Sequence, residues 1–147
     1  MRVAGVFVVL VAMATAVDLS HKDCGSSATV TKVFSDDCAD AVCKLKKGNT
    51  YQINISFKPA SDLKELKASL AGVIAGIPIP FPLPVSDGCV ACGDTCPIAS
   101  GADVTFSEAL KVEPSYPALR LVSRWKLQTV GEDDQVLCVE IPVAIIS

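Results

Sequence analysis

Seven cysteines in 147 residues are the most conspicuous reactive groups of this sequence. In an oxidising compartment such a set predicts disulfide bonds. Cys38 and Cys43 are close enough to close a small loop, as are two of the cysteines at 89, 92 and 96. Cys24 and Cys138 stand near opposite ends and could tie the terminal strands together. Seven is odd, so one thiol is left over.

Other reactive groups give little support for catalysis. Cys89-Val90-Ala91-Cys92 matches a redox C-x-x-C pattern, but its flanks read as a loop without the cations or helix N-terminus that lower a thiol pKa. A zinc site there lacks a fourth ligand. His21 is the one histidine and lies in a terminal segment, and the paired carboxylates at 36–37 and 133–134 lie in turns. The sequence therefore predicts no catalytic site, no metal and no cofactor.

The N-terminus has the three parts of a secretory signal peptide. Arg2 precedes an apolar run over 3–11, which is followed by Ala14-Thr15-Ala16. This predicts a signal peptide over 1–16 and a mature chain over 17–147. The expected location is secreted, with the lysosomal lumen as a possible destination, and disulfides are stable there.

Composition narrows the remaining classes. The chain is 50% apolar, with a formal net charge of -3 and a pI near 5.0. A basic nucleic-acid binder would carry excess Lys and Arg, and a disordered chain would be less hydrophobic. We therefore expect one globular domain that does not bind nucleic acid.

Strand patterns dominate the mature chain. Apolar and polar residues alternate over 51–58, 119–128 and 137–145, and more weakly over 29–34 and 104–112. The segment 63–77 fits a helix and a strand equally well. Turn signals separate these runs, which indicates a β-sandwich or barrel. Asn54, on the polar face of the clearest strand, begins an N-glycosylation sequon, so a glycan is expected to project there.

Residues 77–84 alternate four prolines with four large apolar residues. Proline lacks an N–H, so we expect an extended segment at a sheet edge. Its apolar residues would share one side and could line the mouth of a cavity or pack as plain core.

The ordered motifs of the mature chain resemble the ML lipid-recognition domain family. The matching segments are Lys22-Asp23-Cys24-Gly25-Ser26, Pro78-Ile79-Pro80-Phe81-Pro82, Asp87-Gly88-Cys89, Cys96-Pro97-Ile98, Trp125-Lys126-Leu127-Gln128 and Glu140-Ile141-Pro142-Val143. The resemblance covers nearly the whole mature chain. It implies an all-β, immunoglobulin-like sandwich of about seven strands in two sheets, with a lipid cavity between them and no enzymatic activity. It also implies that 66–77 is strand.

The same resemblance implies specific pairs and site residues. The disulfides would be Cys24–Cys138, Cys38–Cys43 and Cys89–Cys96, while the additional Cys92 could pair with Cys96 or stay free. The lipid-binding residues would be Ile79, Phe81, Val112, Tyr116, Trp125 and Val139. Val139 stands where the family pattern has tryptophan, which implies a wider pocket on that side.

The resemblance finally implies a function and partners. Sterol-binding members of the family take a sterol between the sheets, tail first. We therefore expect a monomeric carrier of a sterol or another lipid that makes transient contact with a membrane or with a membrane sterol transporter. The alternative is a lipid-recognition protein of innate immunity that binds bacterial lipids or fatty acids.

Overall fold

A computed structural model describes residue 5 and the ranges 16–93 and 95–147. The predicted signal peptide lies outside the described residues, apart from Gly5 and Ala16. The elements are β1 (Val17–Asp18), β2 (Lys22–Asp23), β3 (Thr29–Ser35), β4 (Cys43–Lys46), β5 (Thr50–Lys58), β6 (Leu66–Ile74), β7 (Ile77–Phe81), α1 (Gly88–Ala91), β8 (Val104–Lys111), β9 (Arg120–Thr129) and β10 (Gln135–Ile146). Over these ranges no helix has the length and apolar character needed to cross a membrane.

The strands form two sheets that enclose one apolar core. The four-stranded sheet has the order β1-β3-β5-β8, and the larger sheet has the order β2-β10-β9-β6-β7, with β4 parallel to β10. The other pairs are antiparallel. The predicted two-sheet, all-β sandwich is confirmed.

Period-two alternation explains why the longest strands form. Tyr51, Ile53, Ile55 and Phe57 of β5 are all buried, and they point into the sandwich. On the facing sheet Trp125 of β9 stands opposite Leu70 on one side and Val139 on the other. One face of each sheet therefore supplies the core, as the sequence predicts.

The ambiguous segment 63–77 is mostly strand. β6 runs over Leu66–Ile74, and a two-residue turn at Ala75 and Gly76 then reverses the chain into β7. Both turn residues have positive φ, 52° and 77°, as in the tight hairpin turns that match strand twist. The strand expected over 66–77 therefore ends at Ile74, and Ile77 belongs to the next strand.

The proline-rich segment lies at a sheet edge, as predicted. β7 pairs on one side with β6, and Pro78 and Pro80 face Val73 and Ala71 in the register. Because proline cannot donate to a ladder, a strand with two prolines is tolerated only where one side needs no partner.

The three implied disulfides are confirmed. Cys24–Cys138 links residues 114 positions apart, whereas Cys38–Cys43 and Cys89–Cys96 close loops of 5 and 7 positions. Cys92 is buried and is the free cysteine. Cys89 and Cys96 are joined to each other, so neither can serve as a zinc ligand.

We predict that the bridges that close the longest and the shortest loops differ strongly in their effect on the free energy of unfolding. Removing Cys24–Cys138 by double substitution to serine should lower the free energy of unfolding by about 4–5 kcal/mol, because this bridge restricts the longest loop of the unfolded chain. The matched change at Cys38 and Cys43 should cost about 2 kcal/mol. Denaturant unfolding measures both, and equal losses would contradict the loop-length explanation.

Candidate functional site

A small apolar cavity lies between the sheets, at the end where β6 stops and β9 begins. Its free volume is about 30 Å³. It is lined by Leu45, Leu70, Ala71, Gly72, Phe81, Leu110, Val112, Tyr116, Leu121, Ser123, Val143 and Ile145. Both sheets contribute, and Ser123 and Tyr116 bring the side-chain hydroxyls of this lining. Such a cavity suits a lipid rather than a polar molecule.

Phe81 and Tyr116 form the outer wall of this cavity. Their rings meet edge to face, with centroids 5.4 Å apart and planes at 80°. Phe81 is the last residue of β7, and Tyr116 lies in the connection between β8 and β9. Both side chains are half-buried, so neither is locked into the core. One ring belongs to the end of an edge strand and the other to a loop, so the two side chains can rotate apart without breaking a backbone hydrogen bond.

A second, larger cavity of about 250 Å³ adjoins the first. It lies between residues 82–84 and the end of β8, and it shares Phe81, Leu110 and Tyr116 with the inner cavity. Lys111 and Glu113 add charges to its lining. The three shared side chains thus separate an apolar interior from an outer groove that has charged groups.

Gly72 has a role at this site that sequence reasoning missed. A Cβ at this position would lie 2.6 Å from Cε2 of Phe81 and 2.9 Å from Cδ1 of Leu121. Because Gly72 has no side chain, the Phe81 ring can pack directly against β6. The available signal was a glycine inside a strand pattern, which often marks a close approach.

The predicted lipid-binding residues fall into two groups. Phe81, Val112 and Tyr116 line the inner cavity together. Ile79 is 43% exposed on the edge strand, outside the lining. Trp125 and Val139 are buried side by side in the core, also outside the lining.

Two consecutive hydrogen bonds link Trp125, which lies outside the cavity lining, to Ser123, which belongs to it. Trp125 Nε1 donates to Ser123 Oγ at 2.9 Å, and Ser123 Oγ donates to the Ile141 carbonyl at 2.8 Å. The deepest hydroxyl of the lining is therefore already satisfied by the protein. A ligand with one polar end gains most by keeping that end at the mouth.

Asn54, the predicted glycosylation residue, is only 8% exposed. Its Nδ2 donates to the Phe34 carbonyl at 3.4 Å, and its Oδ1 accepts from Ser107 Oγ at 2.6 Å. A glycan on Nδ2 would have to displace the first of these bonds. Outward projection of a glycan from Asn54 therefore stays a prediction, and this packing argues against it.

The Cys92 thiol is poorly suited to redox chemistry. Burial, with a smaller contribution from the nearby Glu108 carboxylate, raises the pKa of Cys92 to about 12. A thiol with that pKa is almost entirely protonated at neutral pH, and the thiolate is the reactive form. Together with the Cys89–Cys96 bridge, this argues against the C-x-x-C reading. The His21 side chain has a partner two residues away, since its Nδ1 lies 2.9 Å from the Leu19 carbonyl oxygen.

Glu108 is an unexpected carboxylate inside the sandwich. It is 1% exposed on the inner face of β8, where it follows Phe106 in the alternation. Its Oε1 accepts from the Val85 N–H at 3.2 Å, and its Oε2 has no partner. Burial raises the pKa of Glu108 to about 7, and the hydrogen bond from Val85 opposes that rise only in part.

This geometry can be compared with known proteins. Residues 18–145 match the model of a family described as the ML domain. The chain belongs to the ML domain family. A Danio rerio ML protein named NPC intracellular cholesterol transporter 2 is 35% identical over 148 residues, which is 99% of this chain and 98% of that relative.

Two solved structures are similar to this fold. The crystal structure of a Niemann-Pick type C2 protein from the Japanese carpenter ant has a TM-score of 0.78 at 26% identity, covering 87% of this chain and all of that one. Chicken MD-1, solved with lipid IVa, has a TM-score of 0.53 at 16% identity and covers 83% and 85%. The similarity to MD-1 is a similarity of fold alone.

We predict that Glu108 makes the protein less stable as pH rises. Its folded pKa of about 7 exceeds the ordinary value of 4.5, so the unfolded chain releases this proton first and unfolding becomes easier between those values. Glu108→Gln should remove this component of the slope, whereas Glu132→Gln in an exposed turn should keep it. Melting curves from pH 4 to about 8 test this; identical slopes for wild type and Glu108→Gln would count against it.

Proposed function

We propose that this chain is a secreted or lysosomal lipid carrier that binds a sterol between its two sheets and delivers it to membranes. The observation that carries the proposal is the apolar cavity whose outer wall is the Phe81–Tyr116 pair. Near-full-length likeness to a protein named as a cholesterol transporter supports it. The function is binding and transfer, without a chemical reaction.

The cavity must expand to accept a sterol. Its free volume is about 30 Å³, far below the size of a ligand with roughly 28 heavy atoms. The backbone ladders lie within each sheet, and contacts such as the hydrogen bond from the Lys46 N–H to the Tyr51 hydroxyl cross between the sheets, so moving the sheets apart costs mainly side-chain packing. Burial of the ligand replaces the lost contacts. Trp125 and Val139, buried beside each other, are the next side chains that an enlarged cavity would reach.

The expected affinity is moderate. At about −0.3 kcal/mol per heavy atom, a sterol would bind with about −8 kcal/mol, which corresponds to roughly micromolar dissociation. Such an affinity permits both capture and release. A carrier needs both.

Exposed apolar side chains beside the cavity support contact with a membrane. Ile77 is 64% exposed and Ile79 is 43% exposed on the edge strand that ends at Phe81. A lipid surface that covered these side chains would lie against the outer wall of the cavity. A membrane sterol transporter of the Niemann-Pick type could use the same contact. We propose that the carrier acts as a monomer.

The signal-peptide pattern over 1–16 and the three disulfides support a secretory route to the lysosome or the exterior. A lipid-recognition role in innate immunity is less well supported. It rests on a likeness to MD-1 that extends to the fold, whereas the transporter relatives are similar in sequence.

We predict that purified protein binds a fluorescent sterol and that Phe81→Ala raises the dissociation constant about tenfold or more, because the outer wall is lost. Phe34→Ala is the matched control, since Phe34 lies on the outer face of the other sheet, where Lys32 Nζ sits 4.7 Å from its ring centroid. Fluorescence titration measures both. Absence of binding to sterols, fatty acids and phospholipids alike would overturn the proposed function.

We also predict that transfer and binding can be separated. Ile77→Ser and Ile79→Ser together should slow sterol transfer to vesicles several-fold while leaving the sterol dissociation constant near its original value. Val130→Ser is the control, because Val130 is 50% exposed in the turn at the opposite end of β9. Stopped-flow energy transfer to acceptor vesicles gives the rate. An unchanged rate in the double variant would exclude this edge as the membrane contact.

A further inference from the structure

The outer face of the six-stranded sheet has a charge opposite to that of the whole chain. The chain carries a formal net charge of -3. On the face turned away from the cavity, the alternation of β2, β4, β9 and β10 places cations at six positions and an anion at one, Glu140. The six define what we call the cationic face: Lys22, Lys44, Lys46, Arg120, Arg124 and Lys126. The acidic residues lie mainly in turns and loops.

Lys44 and Arg120 frame a notch on this face. In the register Ala144 of β10 lies between them, paired with Arg120 on one side and with Lys44 on the other. Two strand spacings separate the two cations by about 10 Å at the backbone, and the small Ala144 leaves a depression of about 390 Å³. Within the described ranges neither cation forms an ion pair. One tetrahedral anion can therefore bridge the two side chains.

The remaining cations extend the face along the strands. Arg124 already has one anionic partner, because its Nη2 donates to Glu140 at 3.1 Å. Lys22 stands opposite the same Glu140, and Lys126 lies one alternation further along β9. From Arg120 to Lys126 the strand covers about 20 Å. The cations thus form a long, flat array on a rigid sheet.

We propose that the cationic face docks a sulfated polysaccharide chain, with the notch between Lys44 and Arg120 holding one sulfate. A linear polyanion can follow the strand direction and meet cations along the full 20 Å or so. A membrane in contact with Ile77 and Ile79 would be held level with Ser123 of β9, because Ile79 and Ser123 both pair with Gly72. Lys126 lies three residues, about 10 Å, further along the strand and two strand spacings away. That separation exceeds the Debye length of about 8 Å in physiological salt, so a membrane held there leaves Lys126 without a partner.

The test is binding to immobilised heparin at neutral pH as salt is raised. The face variant combines Lys44→Glu, Arg120→Glu and Lys126→Glu. The control combines Lys32→Glu, Lys58→Glu and Lys111→Glu, three lysines of the four-stranded sheet whose neighbours are Asp18, Asp103 and Glu113. Both variants change the net charge equally, so only the position of the charges differs. Melting curves establish that each variant is folded.

Wild type and control should be retained, with dissociation constants within about threefold of each other. The face variant should bind at least tenfold more weakly, and its plot of log affinity against log salt should flatten by roughly one unit per lost cation. The proposal is overturned if wild type is not retained, or if both variants lose affinity equally. A parallel arm uses phosphatidylserine–phosphatidylcholine vesicles. If the face variant loses vesicle binding but keeps heparin binding, the face serves a lipid surface and the polysaccharide proposal is wrong.

Discussion

Apolar contact between the inner faces of the two sheets is the interaction on which the rest of this structure depends. The backbone ladders lie within each sheet, so the space between the sheets is governed mainly by side-chain packing. The same contact gives stability when the cavity is small and, in the proposed function, yields space when an apolar ligand enters. The bridge from Cys24 to Cys138 lies within one sheet, whereas Cys38–Cys43 ties β4 of the larger sheet to the segment that follows β3 of the smaller one.

Period-two patterns in the sequence predict much of this architecture. Alternation predicted β5, β9 and β10, because a half-buried strand must place alternate residues in the core. The segment 63–77 was ambiguous because leucines spaced by three and four also suit a helix. Its pairing with β9, a tertiary interaction, decides in favour of a strand. The mouth residue Phe81 followed from family resemblance, whereas Gly72 did not, since its role depends on a ring from the neighbouring strand.

Two buried polar residues show where sequence patterns fail. Asn54 was placed on a solvent-facing side, yet Ser107 and the Phe34 carbonyl close over it. Glu108 occupies an inner position of β8, where alternation would place an apolar residue. In each case the pattern of one strand gives the direction of a side chain but not what the adjacent strands and loops place around it.

The prolines of β7 have a consequence for the protein in concentrated solution. An edge strand normally presents unpaired N–H groups, which recruit strands from other molecules and begin aggregation. At Pro78 and Pro80 these donors do not exist, and the strand is paired to β6 along its other side. The edge can therefore expose isoleucine side chains without becoming a template for intermolecular sheets. The absence of these backbone donors permits the proposed lipid contact at Ile77 and Ile79 without favouring pairing between copies of the chain.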